Sequence, residues 1–199
     1  FTFRTVDEAG NRSAGLTVMA TPEGPDNMPP EPPTIRGVSD GASTNEPLRF
    51  YLDGIESGAS AEYSLDAGQT WRAYGGGEVE ISGEGSYLLT ARQTDSYGNT
   101  SIQGAPLVVT VDTTPPAPLV RVELSETGYG VPLAWEAEDD GDGVAVRITW
   151  EPGDQGGVAT VAKEAEFYAV EGLTSEKEYE FSLRVLDQAG NRSEPVVIT

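Results

Sequence analysis

The chain carries 33 aspartates and glutamates but no histidine and no cysteine. Carboxylates are therefore the most abundant candidates for acid–base or metal chemistry. A thiolate nucleophile, a histidine base, a disulfide and a Cys/His zinc centre are excluded by composition. The densest acidic run is Glu136-Ala-Glu-Asp-Asp-Gly-Asp-Gly-Val144. Glu138, Asp140, Asp142 and Gly143 fall there at positions 1, 3, 5 and 6 of an EF-hand-like calcium loop, but position 12 is Thr149 instead of the bidentate glutamate. Like charges so dense must spread in solvent or share a cation. Glu138, Asp139, Asp140 and Asp142 are accordingly the candidate Ca2+ ligands; no other cofactor is expected. Paired carboxylates can also hydrolyse glycosides, but nothing in the sequence gathers two of them into a pocket. No GxSxG, P-loop or HExxH pattern occurs, so the chain is expected not to be an enzyme.

A second chemical pattern is Ser64-Leu-Asp-Ala-Gly-Gln-Thr-Trp71, which has the form S-x-D-x-G-x-T-W. Asp66 suits a turn whose N–H groups it accepts, and Gly68 suits positive φ. Trp71 is expected to anchor its ring in the core beneath. Of the other aromatics, Trp150 is expected to be core, and Tyr51 and Tyr74 are the freest to meet a sugar.

These residues must be held by an architecture, and repeats reveal it. Arg4–Ser13, Arg92–Ser101 and Arg184–Ser193 share R-x-x-D-x-x-G-N-x-S, at spacings of 88 and 92 residues. That is the period of an immunoglobulin-sized sandwich, too long for a solenoid repeat or a propeller blade. Tyr87, Leu89 and Ala91 alternate into the second copy, and Tyr179, Phe181 and Leu183 into the third, as in strands with one buried face. Ile81 and Leu173 each stand six residues before their tyrosine, the trace of a tyrosine corner. The pairs Asp7/Asn11, Asp95/Asn99 and Asp187/Asn191 are expected to be turn chemistry. The aspartate would bond N–H groups two or three residues on, while glycine and asparagine tolerate positive φ.

Proline sets the boundaries. Residues 22–33 read as a Pro-rich linker, and Val111-Asp-Thr-Thr-Pro-Pro-Ala-Pro118 as a second junction. This divides the chain into a strand pair at 1–21, a domain at 34–113 and a domain at 116–199. The last domain shows seven strand-like runs: Leu119–Leu124, Val131–Glu138, Val144–Trp150, Val158–Lys163, Glu166–Val170, Tyr179–Asp187 and Pro195–Thr199. Val144, Val146 and Ile148 are expected to face inward with Trp150. The fold class is all-β, tandem immunoglobulin-like/fibronectin type III-like β-sandwiches. A lone strand pair is unstable in water, so residues 1–21 are expected to be disordered or, if ordered, to pair with the middle domain or with another chain.

The last domain resembles a fibronectin type III domain through Trp135 and the run Gly172–Ser193, with Ser175 where that family usually has proline; the resemblance implies that Trp135 is the buried tryptophan of the second strand. The middle domain resembles a bacterial Ig-like domain through Tyr63–Trp71, Gly85–Ser101 and the 111–118 exit. Residues 1–21 resemble the last two strands of a third such module. The S-x-D-x-G-x-T-W run resembles the Asp-box of sialidases, which in those families is a structural hairpin away from catalysis. The resemblance implies a non-catalytic structural or adhesive stalk segment of a large bacterial surface or secreted protein. The alternative is an accessory spacer or weak glycan-binding module of a secreted carbohydrate-active enzyme. Either implies an extracellular setting, with neighbouring Ig-like modules as partners and glycan or a host-surface protein as candidate ligands. The net charge of −21 makes nucleic acid a poor partner, and no apolar run is long enough to insert in a membrane.

Overall fold

The computed structural model describes residues 2–19, 26–124, 130–138, 143–151 and 156–199. Among these, regular structure is strand throughout, apart from one 3₁₀ turn at Lys163–Ala165. The expected all-β class holds. β1 (Thr2–Phe3) and β2 (Leu16–Thr17) form a short antiparallel pair.

The first sandwich follows. Its strands are β3 (Thr34–Arg36), β4 (Ala42–Thr44), β5 (Leu48–Asp53), β6 (Ser60–Ser64), β7 (Arg72–Ala73), β8 (Val79–Ile81), β9 (Gly85–Thr94) and β10 (Leu107–Val111). One sheet has the order β3-β5-β8 and the other β4-β10-β9-β6-β7. β4 runs parallel to β10, whereas the other pairs are antiparallel. β5 shows why the sheets stack: Leu48, Phe50 and Leu52 point inward and alternate with exposed residues. They meet Leu89, Ala91, Val109 and Val111 from the facing sheet in one core.

The second sandwich comprises β11 (Leu119–Leu124), β12 (Val131–Ala137), β13 (Gly143–Glu151), β14 (Gly157–Ala162), β15 (Phe167–Val170), β16 (Glu180–Asp187) and β17 (Val196–Ile198). Its sheets are β11-β12-β15 and β14-β13-β16-β17. Leu133, Trp135, Val146, Ile148, Phe181, Leu183 and Val185 belong to a core separate from the first. Each fully buried side chain of this size contributes about 1.5–3 kcal/mol. Both tyrosine corners form. Tyr87 Oη donates to the Gly83 carbonyl at 2.7 Å, and Tyr179 Oη accepts from the Thr174 N–H at 3.0 Å.

Two expectations fail for identifiable reasons. Val144 is 46% exposed, because a register shift between Gly143 and Ala145 turns it outward; Val146 and Ile148 stay buried. Trp150 is only half-buried and lies over Gly157, where a Cβ would stand 2.3 Å from the ring. Of the pairings expected for residues 1–21, the one with the middle domain does not form: among the described residues β1 and β2 pair with each other and not with the first sandwich. The register of the pair explains what it is built like. Phe3 pairs with Leu16 and Thr2 with Thr17, as Leu183 pairs with Val196 and Ser182 with Val197. The isolated bridge Val6–Arg12 likewise matches Leu186–Arg192. The pair therefore repeats the closing hairpin of the second sandwich at a constant shift of 180 residues (Phe3 to Leu183). Phe3 is 63% exposed where Leu183 is fully buried.

Truncating Leu133 to alanine should lower the unfolding free energy of the second sandwich by about 2–5 kcal/mol. Val120→Ala, at a position 60% exposed, should change it by no more than about 0.5 kcal/mol. Chemical denaturation with tryptophan fluorescence measures both.

Candidate functional site

The three R-x-x-D-x-x-G-N-x-S copies adopt one hydrogen-bonded turn. In each, Asp Oδ1 accepts the asparagine backbone N–H four residues on, at 2.8 Å for Asp7, Asp95 and Asp187. In each, Oδ2 accepts the asparagine side-chain amide, at 2.9, 2.8 and 2.7 Å. The serine closes the motif: Ser13, Ser101 and Ser193 Oγ accept the N–H of Thr5, Gln93 and Val185 and donate to the carbonyl of the next residue. Gly10, Gly98 and Gly190 take positive φ, at 83°, 90° and 94°. The asparagines do not, contrary to expectation. They are there for the amide, which donates where an aspartate or serine lacks two N–H groups. These bonds hold the Asp7 and Asp95 carboxyls below the ordinary value, with the asparagine amide as the largest cause.

The S-x-D-x-G-x-T-W run is a compact polar hairpin end. Ser64 Oγ donates to Asp66 Oδ1 at 2.7 Å and accepts from the Gly68 N–H at 2.8 Å. Thr70 Oγ1 donates to Asp66 Oδ2 at 2.6 Å, and the Thr70 N–H to Oδ1 at 2.8 Å. Those bonds, the Thr70 hydroxyl first, pull the Asp66 carboxyl down to about 2. Gly68 has φ 90°, as expected, and Ala67 beside it also takes positive φ. Trp71 is not in the core. Its half-buried ring lies under the Arg92 guanidinium, 4.1 Å from centroid to Cζ. Arg92 also holds Glu62, through Nε at 2.8 Å and Nη2 at 2.7 Å. The arginine on β9 captured the ring that the motif alone assigned to the interior.

The junction between the sandwiches is built from side-chain and backbone bonds. The Asp112 N–H donates to the Thr44 carbonyl at 2.9 Å, and Asp112 Oδ1 accepts the Thr114 N–H at 3.0 Å. The hydroxyls of Thr113 and Thr114 both donate to the Glu84 carboxylate, at 2.6 and 2.9 Å. Those two hydroxyls hold the Glu84 carboxyl below its ordinary value. From the second sandwich, Asn191 Nδ2 donates to the Asp112 carbonyl at 2.8 Å. The Asn45 N–H donates to the Ala189 carbonyl at 3.2 Å.

Gln93 belongs to the strand run leading into the second turn motif and has no fixed place in that motif. Although fully buried, it donates to the Glu31 and Gly54 carbonyls and accepts the Glu56 N–H. A polar residue at an inward position of an alternating strand was the signal available.

Of the calcium candidates, Glu138 is exposed, while Asp139, Asp140 and Asp142 lie outside the described residues. Among the described residues, no three acidic side chains are grouped so that they could hold a metal ion. Trp135 is core, as expected, and its Nε1–H donates to the Lys163 carbonyl at 3.3 Å. Tyr51 is 48% exposed. Tyr63 packs edge-on against Phe50, and with Tyr74 and Gly75–Gly77 it lines an open cleft.

Comparison with known proteins fits this geometry. Residues 114–199 match the family model of the Fibronectin type III domain. The matched segment coincides with the second sandwich and, at 86 of 199 residues, is less than half of the chain. Exoglucanase B of Cellulomonas fimi is 30% identical over 212 aligned residues, covering 97% of this chain. The chain spans 19% of that relative's length. The FN1-FN3 domains of chicken CNTN1 share its fold at a TM-score of 0.54, 13% identity, 85% of this chain and 65% of theirs. The fibronectin(III)-like modules of Clostridium thermocellum CbhA do so at 0.50, 18% identity, 83% of this chain and 90% of theirs. No described helix is long and apolar enough to cross a membrane.

Two measurements check the site. A carboxyl depressed in the folded state stabilises it above the unfolded value of 3.8, and that contribution disappears as pH falls through about 2. The Asp66 carboxyl should thus titrate near 2 by NMR, and Asp66→Ala should flatten the first sandwich's stability loss between pH about 4 and about 2. Ser193→Ala strands the buried Val185 N–H and should cost roughly 1–3 kcal/mol by denaturant unfolding.

Proposed function

We propose that the chain is a non-catalytic spacer segment of a longer extracellular bacterial protein. Tandem sandwiches hold other domains of that protein apart. The observation that carries this reading is the junction. Each sandwich closes on its own core, and Asp112–Thr114 between them are bonded from both sides. That is how a chain transmits position rather than how it encloses a substrate. Pro115, Pro116 and Pro118 stiffen the same segment.

The parent protein we favour is a secreted carbohydrate-active enzyme, because the chain resembles a fifth or so of exoglucanase B. A surface stalk would use the same mechanics. On this reading residues 34–113 form an Ig-like module whose second strand, β4, pairs in parallel with its last, β10. Residues 2–19 supply the closing hairpin of a further sandwich. They have the register and turn bonds of Glu180–Ile198, and Phe3 and Leu16 supply an exposed apolar face.

Weak glycan binding is the second reading. The cleft beside Tyr63 and Tyr74 is the observation that favours it, since open aromatic surfaces suit sugar rings. Affinity electrophoresis in gels containing soluble β-glucan separates the two. The spacer reading expects unchanged mobility and an elongated particle by small-angle X-ray scattering. Retardation that Tyr74→Ala abolishes would replace it with glycan binding.

A further inference from the structure

Resting on the spacer reading, we propose that the asparagine of the D-x-x-G-N-x-S turn is a latch. It fixes the angle at which each sandwich joins the segment leading into it.

A primary amide has two N–H groups, and here they are divided between two tasks. In the second sandwich, Asn191 Nδ2 donates to its own turn at Asp187 Oδ2, 2.7 Å, and to the entering segment at the Asp112 carbonyl, 2.8 Å. In the first, Asn99 Nδ2 donates to Asp95 Oδ2, 2.8 Å, and to the Asp26 carbonyl, 2.9 Å. The two latches span 73 and 79 residues, so local sequence does not create them. Topology does, by returning the last turn of a sandwich to the place where its chain entered.

The receiving end is a repeated motif too. Asp26-Asn-Met-Pro-Pro-Glu-Pro32 and Asp112-Thr-Thr-Pro-Pro-Ala-Pro118 share D-x-x-P-P-x-P. Each aspartate folds its own side chain onto the N–H two residues on, Met28 at 2.9 Å and Thr114 at 3.0 Å. That turn leaves the aspartate carbonyl for the latch. The second proline of each pair, Pro30 and Pro116, is buried, which anchors the segment just beyond it. The junction adds a further bond, from the Asn45 N–H of the first sandwich to the Ala189 carbonyl beside the latch. Linker motif and turn motif are thus two halves of one joint. Asn11, bonded to Asp7 in the same way, is the equivalent half on the first hairpin.

Residual dipolar couplings from the whole chain, in one alignment medium, test this. In the wild type a single alignment tensor should fit both sandwiches. Asn191→Ala should lose the common tensor, whereas Asn99→Ala, which damages an identical turn away from this junction, should keep it. Asp112→Ala attacks the joint from the linker without touching the second sandwich's turn, and should loosen it in the same direction. It therefore decides the matter even if Asn191→Ala fails to fold. Separate tensors in the wild type would overturn the latch. So would a common tensor that survives Asn191→Ala or, where that variant fails to fold, Asp112→Ala. The glucan gels judge the spacer reading separately. Coupled tensors with glucan retardation would sink the spacer and keep the latch; uncoupled tensors without retardation would do the reverse.

Discussion

Everything beyond the two cores depends on one side-chain pair, the aspartate and asparagine of the closing turn. The aspartate alone could bend a chain. Paired with an asparagine four residues on, it satisfies both of its oxygens and pins the amide in one orientation. In the second sandwich the pair is buried, with Asp187 5% and Asn191 8% exposed. Burial raises the cost of any unpaired N–H, so the remaining amide hydrogen must find an acceptor. The Asp112 carbonyl is that acceptor, and through it a local turn becomes a link between modules.

The rest of the junction follows the same logic at lower stakes. Glu84 gathers two threonine hydroxyls, and Asn45 reaches the carbonyl of Ala189. Each bond is modest, and several are partly exposed to water. Together with the prolines they remove rotational freedom from the few residues where a tandem array would otherwise bend. The acidic surface works in the same direction, since net charge of −21 disfavours association between copies. Residues 114–199, on one side of this joint, match the family model of the Fibronectin type III domain, and the chain as a whole is similar to part of exoglucanase B.

Much of the fold was legible in the sequence because it rests on period and punctuation. Strict alternation in Tyr179, Phe181 and Leu183 announces a strand with one buried face, and Tyr179 with Leu173 announces the corner before it. What escaped were effects of residues far apart in sequence. Trp71 looked like a core ring because its hairpin says so, yet Arg92 holds it at the surface from another strand. Val144 followed the alternation of its run until a register shift, invisible in the run itself, turned it out. The motif shows the asparagine's tolerant backbone but not the use of its amide, whose second acceptor lies 73 or 79 residues away. The two motifs were legible separately; that they meet was not.

The most direct test of this account is a coupling across one hydrogen bond. In the intact chain, labelled with ¹⁵N and ¹³C, a latched Asn191 should show scalar coupling from Nδ2 to the Asp112 carbonyl carbon, with slow exchange of both amide protons. An averaged, rapidly exchanging Asn191 amide with no such coupling would contradict it.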